Sequence, residues 1–175
     1  LDKMPVGAPA MKQTFELLEA LFTPEESRVA SSMPLKLCTV ETVAKNAGRT
    51  VAETQKILDA LIPKGLVVDI PRPDGRVFYF LNPTVVGFIE FTMMRVRDDI
   101  DQRKVAGMIY EYFHNDPEGR FLKEVAAGGT YLARPLVHED VLEPEVYTEV
   151  LDYEKASEYI ENADAVALGL CYCRH

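Results

Sequence analysis

The run Thr39-Val40-Glu41-Thr42-Val43-Ala44-Lys45-Asn46-Ala47-Gly48-Arg49-Thr50-Val51-Ala52-Glu53-Thr54-Gln55-Lys56-Ile57-Leu58-Asp59-Ala60-Leu61-Ile62 decides how this chain folds. Thr39 stands at a helix N-cap, Val40, Val43 and Ala44 follow at helical spacing, and Gly48 suits the left-handed position after a helix. Thr50 with Glu53 three residues on is a capping box, in which a hydroxyl and a carboxylate satisfy each other's orphan backbone N–H groups. It opens a second helix to about Ile62, with Val51, Ile57, Leu58 and Leu61 expected inward. Two short helices joined by a tight glycine turn form a helix-turn-helix.

Downstream, Leu66 to Ile70 and Arg76 to Leu81 are β-rich runs around Pro71-Arg72-Pro73-Asp74-Gly75, the pattern of a hairpin. Upstream, Met11 to Phe22 places Phe15, Leu18 and Phe22 near helical spacing. Thr23-Pro24-Glu25-Glu26 then caps a helix to about Ser32, and Pro34 to Cys38 reads as a short extended piece. Helix-turn-helix plus hairpin resembles the winged-helix superfamily of prokaryotic transcription regulators, of the MarR or ArsR kind, over about the first half of the chain. The resemblance puts Thr50 to Ile62 at the recognition-helix position and Pro71 to Gly75 at the wing tip. On that reading Arg49, Gln55 and Lys56 face a duplex, and Arg72 and Arg76 hold phosphates. Yet the outer face of the second helix is Glu53, Gln55, Lys56 and Asp59, a thin basic footprint. The same unit therefore also reads as a protein-interaction or dimerisation scaffold, because fold alone does not fix function.

Pro83 to Arg97 is apolar on nearly every face of a helix and must be buried. Asp98-Asp99-Ile100-Asp101 leads into a helix to about His114, whose stripe is Val105, Met108, Ile109, Tyr112 and Phe113. Two such added helices suit a homodimer interface, and their Met and aromatic residues read as core or dimer contact rather than a cofactor box.

The chain has 175 residues, 47% of them hydrophobic, with net charge -9, three cysteines and no tryptophan. That is enough for one or two ordinary domains and excludes collagen-like or disordered character. Residues 1–82 carry ten Lys/Arg and ten Asp/Glu, whereas 83–175 carry nine against eighteen. The acidic second half argues against its lying on nucleic acid. No apolar run approaches the roughly 20 residues of a membrane span and no signal peptide is visible, so the expected location is cytoplasmic with no membrane partner. Asn115-Asp116-Pro117-Glu118-Gly119 is a breaker cluster that divides a first domain, residues 1–114, from a second segment, residues 115–175.

In that second segment Phe121 to Ala127 reads as a short helix stopped by Gly128-Gly129. Thr148 to Leu151 reads as a strand, Asp152 caps a helix with Ala156, Tyr159 and Ile160, and Ala165 to Cys171 reads as an apolar strand, a small βαβ-like unit. Strand alternation would set Cys171 and Cys173 on one face lined by small residues. Two thiols at i and i+2 can serve one metal or cluster, although structural zinc and iron–sulfur sites want four ligands; buried or frayed cysteines without metal are the bland alternative. Cys38 reads as a small buried hydrophobe, His114 as a helix-end cation and His138 as a loop residue, and no hydrolase arrangement is visible. The fold class expected is α+β: a winged helix-turn-helix domain with added helices, then the βαβ-like segment.

The run Glu149-Val150-Leu151-Asp152-Tyr153-Glu154-Lys155-Ala156 together with Ala167-Leu168-Gly169-Leu170-Cys171-Tyr172-Cys173-Arg174-His175 resembles the region before the ferredoxin domain in a family of bacterial and archaeal iron–sulfur proteins. In that family a winged-helix-like domain precedes a Cys-x-Cys-Arg segment, further cysteines and a ferredoxin-type 4Fe-4S domain. The resemblance implies that this is the N-terminal part of an electron-transfer or redox-sensing protein with a redox partner. It makes Cys171 and Cys173 cluster ligands, or zinc ligands as the alternative, and Arg174 a donor of hydrogen bonds to a thiolate or cluster sulfur.

Overall fold

The computed structural model describes residues 1, 4, 7–127 and 153–174. Among them the architecture is α+β: eight α-helices and one two-stranded antiparallel sheet. The chain forms two compact units, Leu1–Thr130 with Leu170–His175, and Tyr131–Gly169.

In the first unit α1 (Lys12–Leu21) buries Thr14, Leu17 and Leu21 and leaves Phe15 outside, 56% exposed. Leu18 and Phe22 are half-buried against the core, and the buried Thr14 donates its hydroxyl to the carbonyl of Pro9 at 2.6 Å. In α2 (Pro24–Ser31), Thr23 and Glu26 form the complete capping box. The next helix, α3 (Val40–Ala47), ends at Gly48 with φ 65, as its sequence predicts. Thr39 sits at its N-cap without a side-chain bond to the backbone; its hydroxyl meets Thr42 Oγ1 instead.

Thr50 and Glu53 close the second capping box at the head of α4 (Val51–Leu61). Leu58 and Leu61 have no exposed surface, while Val51, expected inward, lies exposed in the first turn. Helices α2, α3 and α4 pack on one another. Their shared core is Val29, Val43, Leu58 and Leu61, each side chain contributing roughly 1.5–3 kcal/mol by burial.

Strands β1 (Val67–Pro71) and β2 (Val77–Leu81) pair with Val67 opposite Leu81 and Pro71 opposite Val77. Gly75, at φ 83, closes the turn the Asp-Gly pair predicts. Cys38 adds a single antiparallel bridge to Tyr79, which is all that the extended Pro34–Cys38 piece contributes to the sheet. Asn82, buried, donates its side-chain N–H to the carbonyl of Gly65 at 2.7 Å and ties the hairpin base to the exit of α4.

The apolar run after the hairpin is not one helix. Thr84–Phe88 contains three non-helical residues, with Val86 at φ 53 and Gly87 at φ -165, and only Ile89–Met93 forms a helix, α5. Three β-branched residues and a glycine in succession resist helix. The break lets Phe88, Ile89 and Met93 enter the core and leaves Val86 and Phe91 outside. Asp101 caps α6 (Gln102–His114), which packs on α1 through Val105, Ile109 and Tyr112. After the Asp116–Gly119 turn, α7 (Arg120–Ala127) stacks Phe121 on Phe113, ring centroids 4.6 Å apart.

In the second unit the described residues are α8 (Tyr153–Glu161), where sequence spacing puts a helix, and an irregular, exposed run from Ala163 to Gly169. The strand expected over Ala165–Cys171 is absent. A strand is held by backbone hydrogen bonds to a neighbouring strand, and no described segment supplies one. Thr148–Leu151, Asp152, His138 and Gly128-Gly129 lie outside the described residues.

Candidate functional site

Two groups of residues carry the functional expectations, and both lie in the first unit. The first is the charged face of α4 with the hairpin tip. Arg49 Nη1 is 2.8 Å from Glu25 Oε1, so this cation is already paired within the chain. Gln55 donates to Asp59 Oδ1 at 2.7 Å and exchanges hydrogen bonds with the Tyr79 hydroxyl at 3.0 and 3.1 Å. Lys56 is exposed on the same face as Glu53 and Asp59.

The Glu53 carboxyl titrates below its usual range, chiefly because the Thr50 hydroxyl and backbone N–H donate to it; it is therefore a fixed negative charge on this face. At the hairpin tip Arg76 pairs with Asp74 at 2.7 Å, and the guanidinium groups of Arg76 and Arg72 lie over the Phe78 ring, 5.4 and 5.8 Å from its centroid. Of the five sequence-predicted DNA contacts, Arg49, Gln55 and Arg76 are engaged with carboxylates of their own chain. Grasping a phosphate would require breaking those pairs.

The second group is the terminal cysteine turn. Leu170 donates its backbone N–H to the carbonyl of Met94 at 2.7 Å, directly after α5, and Tyr172–Arg174 forms one turn of 3-10 helix packed against α5. The Tyr172 ring joins the edge of the core, while Cys171 and Cys173 on either side are exposed free thiols. The same-face geometry of a strand is replaced by a helical step of about 120° per residue. Their Cα atoms are still no more than about 7 Å apart, so both sulfurs can turn to one ion. Burial, then the nearby carboxylate of Glu90, then hydrogen bonding and charge at Cys173 push the Tyr172 hydroxyl above its ordinary value. Glu90 Oε2 in turn accepts the backbone N–H of Gly87 at 2.8 Å, which holds the turn around Val86.

The donor set fits soft, thiophilic metal chemistry in kind but supplies half the number. Among the described residues no group of three or more His, Cys, Asp and Glu side chains could hold a metal ion. Nothing is described of the Arg174 side chain. Cys38 stands apart from this chemistry: it is buried, its thiol donates to the carbonyl of Tyr79, and burial pushes its pKa up. His114 stacks on Tyr110 with its Nδ1 3.0 Å from the Tyr110 carbonyl, a helix-end role.

Sequence reasoning missed the docking of this turn on α5 and the part played by Tyr172, Glu90 and Met94. The one available signal was a large aromatic between two cysteines, a residue that gains most by burial. No family model, no curated protein and no solved structure matches the chain. Among the described residues no helix is long and apolar enough to cross a membrane.

Proposed function

We propose that this chain belongs to an iron–sulfur protein that transfers electrons or senses redox state. In it, a winged-helix unit acts as a scaffold that presents Cys171 and Cys173 as two of the ligands of a 4Fe-4S cluster. The observation that carries the reading is the seating of the Cys171-Tyr172-Cys173 turn on α5. The backbone and the central aromatic are held while both thiols stay in solvent. A cysteine kept for packing is normally buried and inert, as Cys38 is; two reduced, solvent-facing thiols on an anchored turn suit ligation in a reducing compartment.

The remaining ligands come from sulfur donors other than the described residues, and zinc is the metal to test against iron. When bound, a cluster would supply a one-electron redox centre. This chain's own part is to hold two thiolates at its edge, with Arg174 as the neighbouring cation.

The ion pairs on the α4 face and the hairpin tip favour a scaffold over a sequence reader, in keeping with the proposal of a homodimer and a redox-partner surface. DNA binding as a winged-helix regulator is the alternative, and the two exposed arginines at the hairpin tip are what favours it.

The test is iron, zinc and acid-labile sulfide per chain on protein expressed anaerobically from the complete reading frame, beside the same protein with Cys171→Ser/Cys173→Ser. Iron with sulfide, reduced in the variant, is the expected result. Zinc without sulfide would replace the cluster by a structural metal, and no metal in either protein would overturn the reading.

A further inference from the structure

We propose that the first unit binds an apolar small molecule with a cationic amino head, in a cavity lined by α1, α2 and the last residue of β2. The cavity measures about 760 Å³, inside the roughly 300–1,000 Å³ range of small-molecule sites. None of its described lining residues belongs to the cysteine turn or to the seat of that turn on α5, so the site is separate from the thiol chemistry.

Helix α1 carries more apolar surface than its core face uses. Thr14, Leu17 and Leu21 are buried, whereas Phe15, Leu18 and Phe22, each one position further along, line the cavity. Two apolar stripes on one short helix leave the outer one in need of an apolar occupant. Phe22 is braced by the buried Phe88, their rings edge to face with centroids 6.4 Å apart, so this wall is preformed. Helix α2 supplies Ala30 and the short side chains of Ser27 and Ser31, which leave the volume open, and Leu81 adds apolar surface from the hairpin.

The polar groups set the class of ligand. Glu19 is the one charged side chain among the described lining residues, and it has no ion-pair partner among the described residues. The hydroxyls of Ser27 and Ser31 donate to the carbonyls of Pro24 at 3.1 Å and Arg28 at 2.9 Å, which leaves their oxygens to accept. Every polar side chain of the site therefore offers an acceptor. A fatty-acid carboxylate would meet the like charge of Glu19 with no cationic side chain in the lining to answer it. An alkylammonium would instead give Glu19 a charge-assisted hydrogen bond while its chain covers Phe15, Leu18 and Phe22.

The test is calorimetric titration of the full chain at neutral pH with hexylamine, octylamine, octan-1-ol and octanoate, each below its micelle concentration. One octylamine per chain is the expected stoichiometry. Affinity should rise about threefold per methylene from hexylamine to octylamine as apolar surface is buried. Octan-1-ol should bind about fivefold more weakly than octylamine, the size of effect an exposed charge pair supports, and octanoate more weakly again. Glu19→Gln should bring octylamine down to the level of octan-1-ol and leave octan-1-ol unchanged. Ser27→Phe, at an exposed position of α2, and Ala30→Leu, at a buried one, each fill the cavity and should weaken octylamine binding at least about tenfold. Circular dichroism identifies which of these two variants keeps the wild-type fold and is to be scored.

No amine bound by the wild type would overturn the site. Octanoate binding as tightly as octylamine would overturn the assignment of the head group. Unchanged octylamine affinity in a folded filling variant would put the binding elsewhere and overturn the cavity. A wild type that sediments as a dimer, becomes a monomer in Ser27→Phe and binds no amine would give the cavity to a second copy of the chain, which overturns the proposal as well.

Discussion

A β-carbon added to Gly65 would lie 2.6 Å from the Cβ of Phe91, so the exit of α4 and the body of α5 approach closer than any side chain allows. Gly65 also has φ 74, the left-handed region. Gly65→Ala combines backbone strain with overpacking and should cost about 2–4 kcal/mol in urea unfolding. Gly48→Ala, equally left-handed at φ 65 but with open space around it, should cost only about 1 kcal/mol. Equal losses at the two sites would contradict the close approach.

Lys64 Nζ is 2.7 and 2.8 Å from the two oxygens of Glu26, in a largely buried pair. Burial alone would raise the Glu26 pKa. The Lys64 hydrogen bond, the Thr23 backbone N–H and the Lys64 charge outweigh it, and the carboxyl titrates below 4.5. A depressed folded pKa gives stability that is present above the unfolded value and lost as pH falls through the folded one. Thermal stability should therefore fall as the pH drops below about 4.5, and more steeply in the wild type than in Glu26→Gln. At neutral pH that variant should be less stable by on the order of 2 kcal/mol, between an exposed and a fully buried pair.

Thr50→Ala removes a hydroxyl that accepts from the Glu53 N–H and donates to its carboxylate, and should destabilise the protein by about 1 kcal/mol. Thr39→Ala removes a hydroxyl that caps no backbone group and should cost clearly less, about 0.5 kcal/mol or below. Chemical denaturation of the two variants side by side checks the order.

Duplex DNA should bind weakly, with a Kd no tighter than the roughly 10⁻⁴–10⁻⁶ M of non-specific contact at physiological salt. The pairs Arg49–Glu25 and Arg76–Asp74 neutralise the cations that would meet phosphates. Arg72→Glu/Arg76→Glu should change the affinity less than threefold. A sequence-selective complex with a steep salt dependence, abolished by that double reversal, would favour the regulator instead.

What the sequence made legible was local. Thr23 with Glu26 and Thr50 with Glu53 name their own helix starts because the reciprocal bonds need only residues three apart, and Asp74-Gly75 names its turn because the left-handed position demands glycine. Reading failed where the outcome depends on distant partners. Pro83–Arg97 has helical hydrophobicity, but the shape of the core decides which of its faces is buried, and the chain breaks at Val85–Gly87 to comply. Ala165–Cys171 has the composition of a strand and no described partner to pair with. At the cysteines, the residue types were evident, and the seat on α5 was not, since a bond from Leu170 to Met94 spans most of the second half of the chain.

That same bond changes the topology of everything between its ends. The chain leaves the first unit, runs through Tyr131–Gly169 and comes back to it, so the second unit is an insertion held at both ends and not a tail. One cut within the inserted stretch would turn an intramolecular closure, at high effective concentration, into an encounter between two separate chains. The cysteine turn would then stay on α5 only as tightly as Leu170 and Tyr172 could hold it unaided. The covalent continuity of a distant segment is, in this fold, part of what keeps two thiols in position.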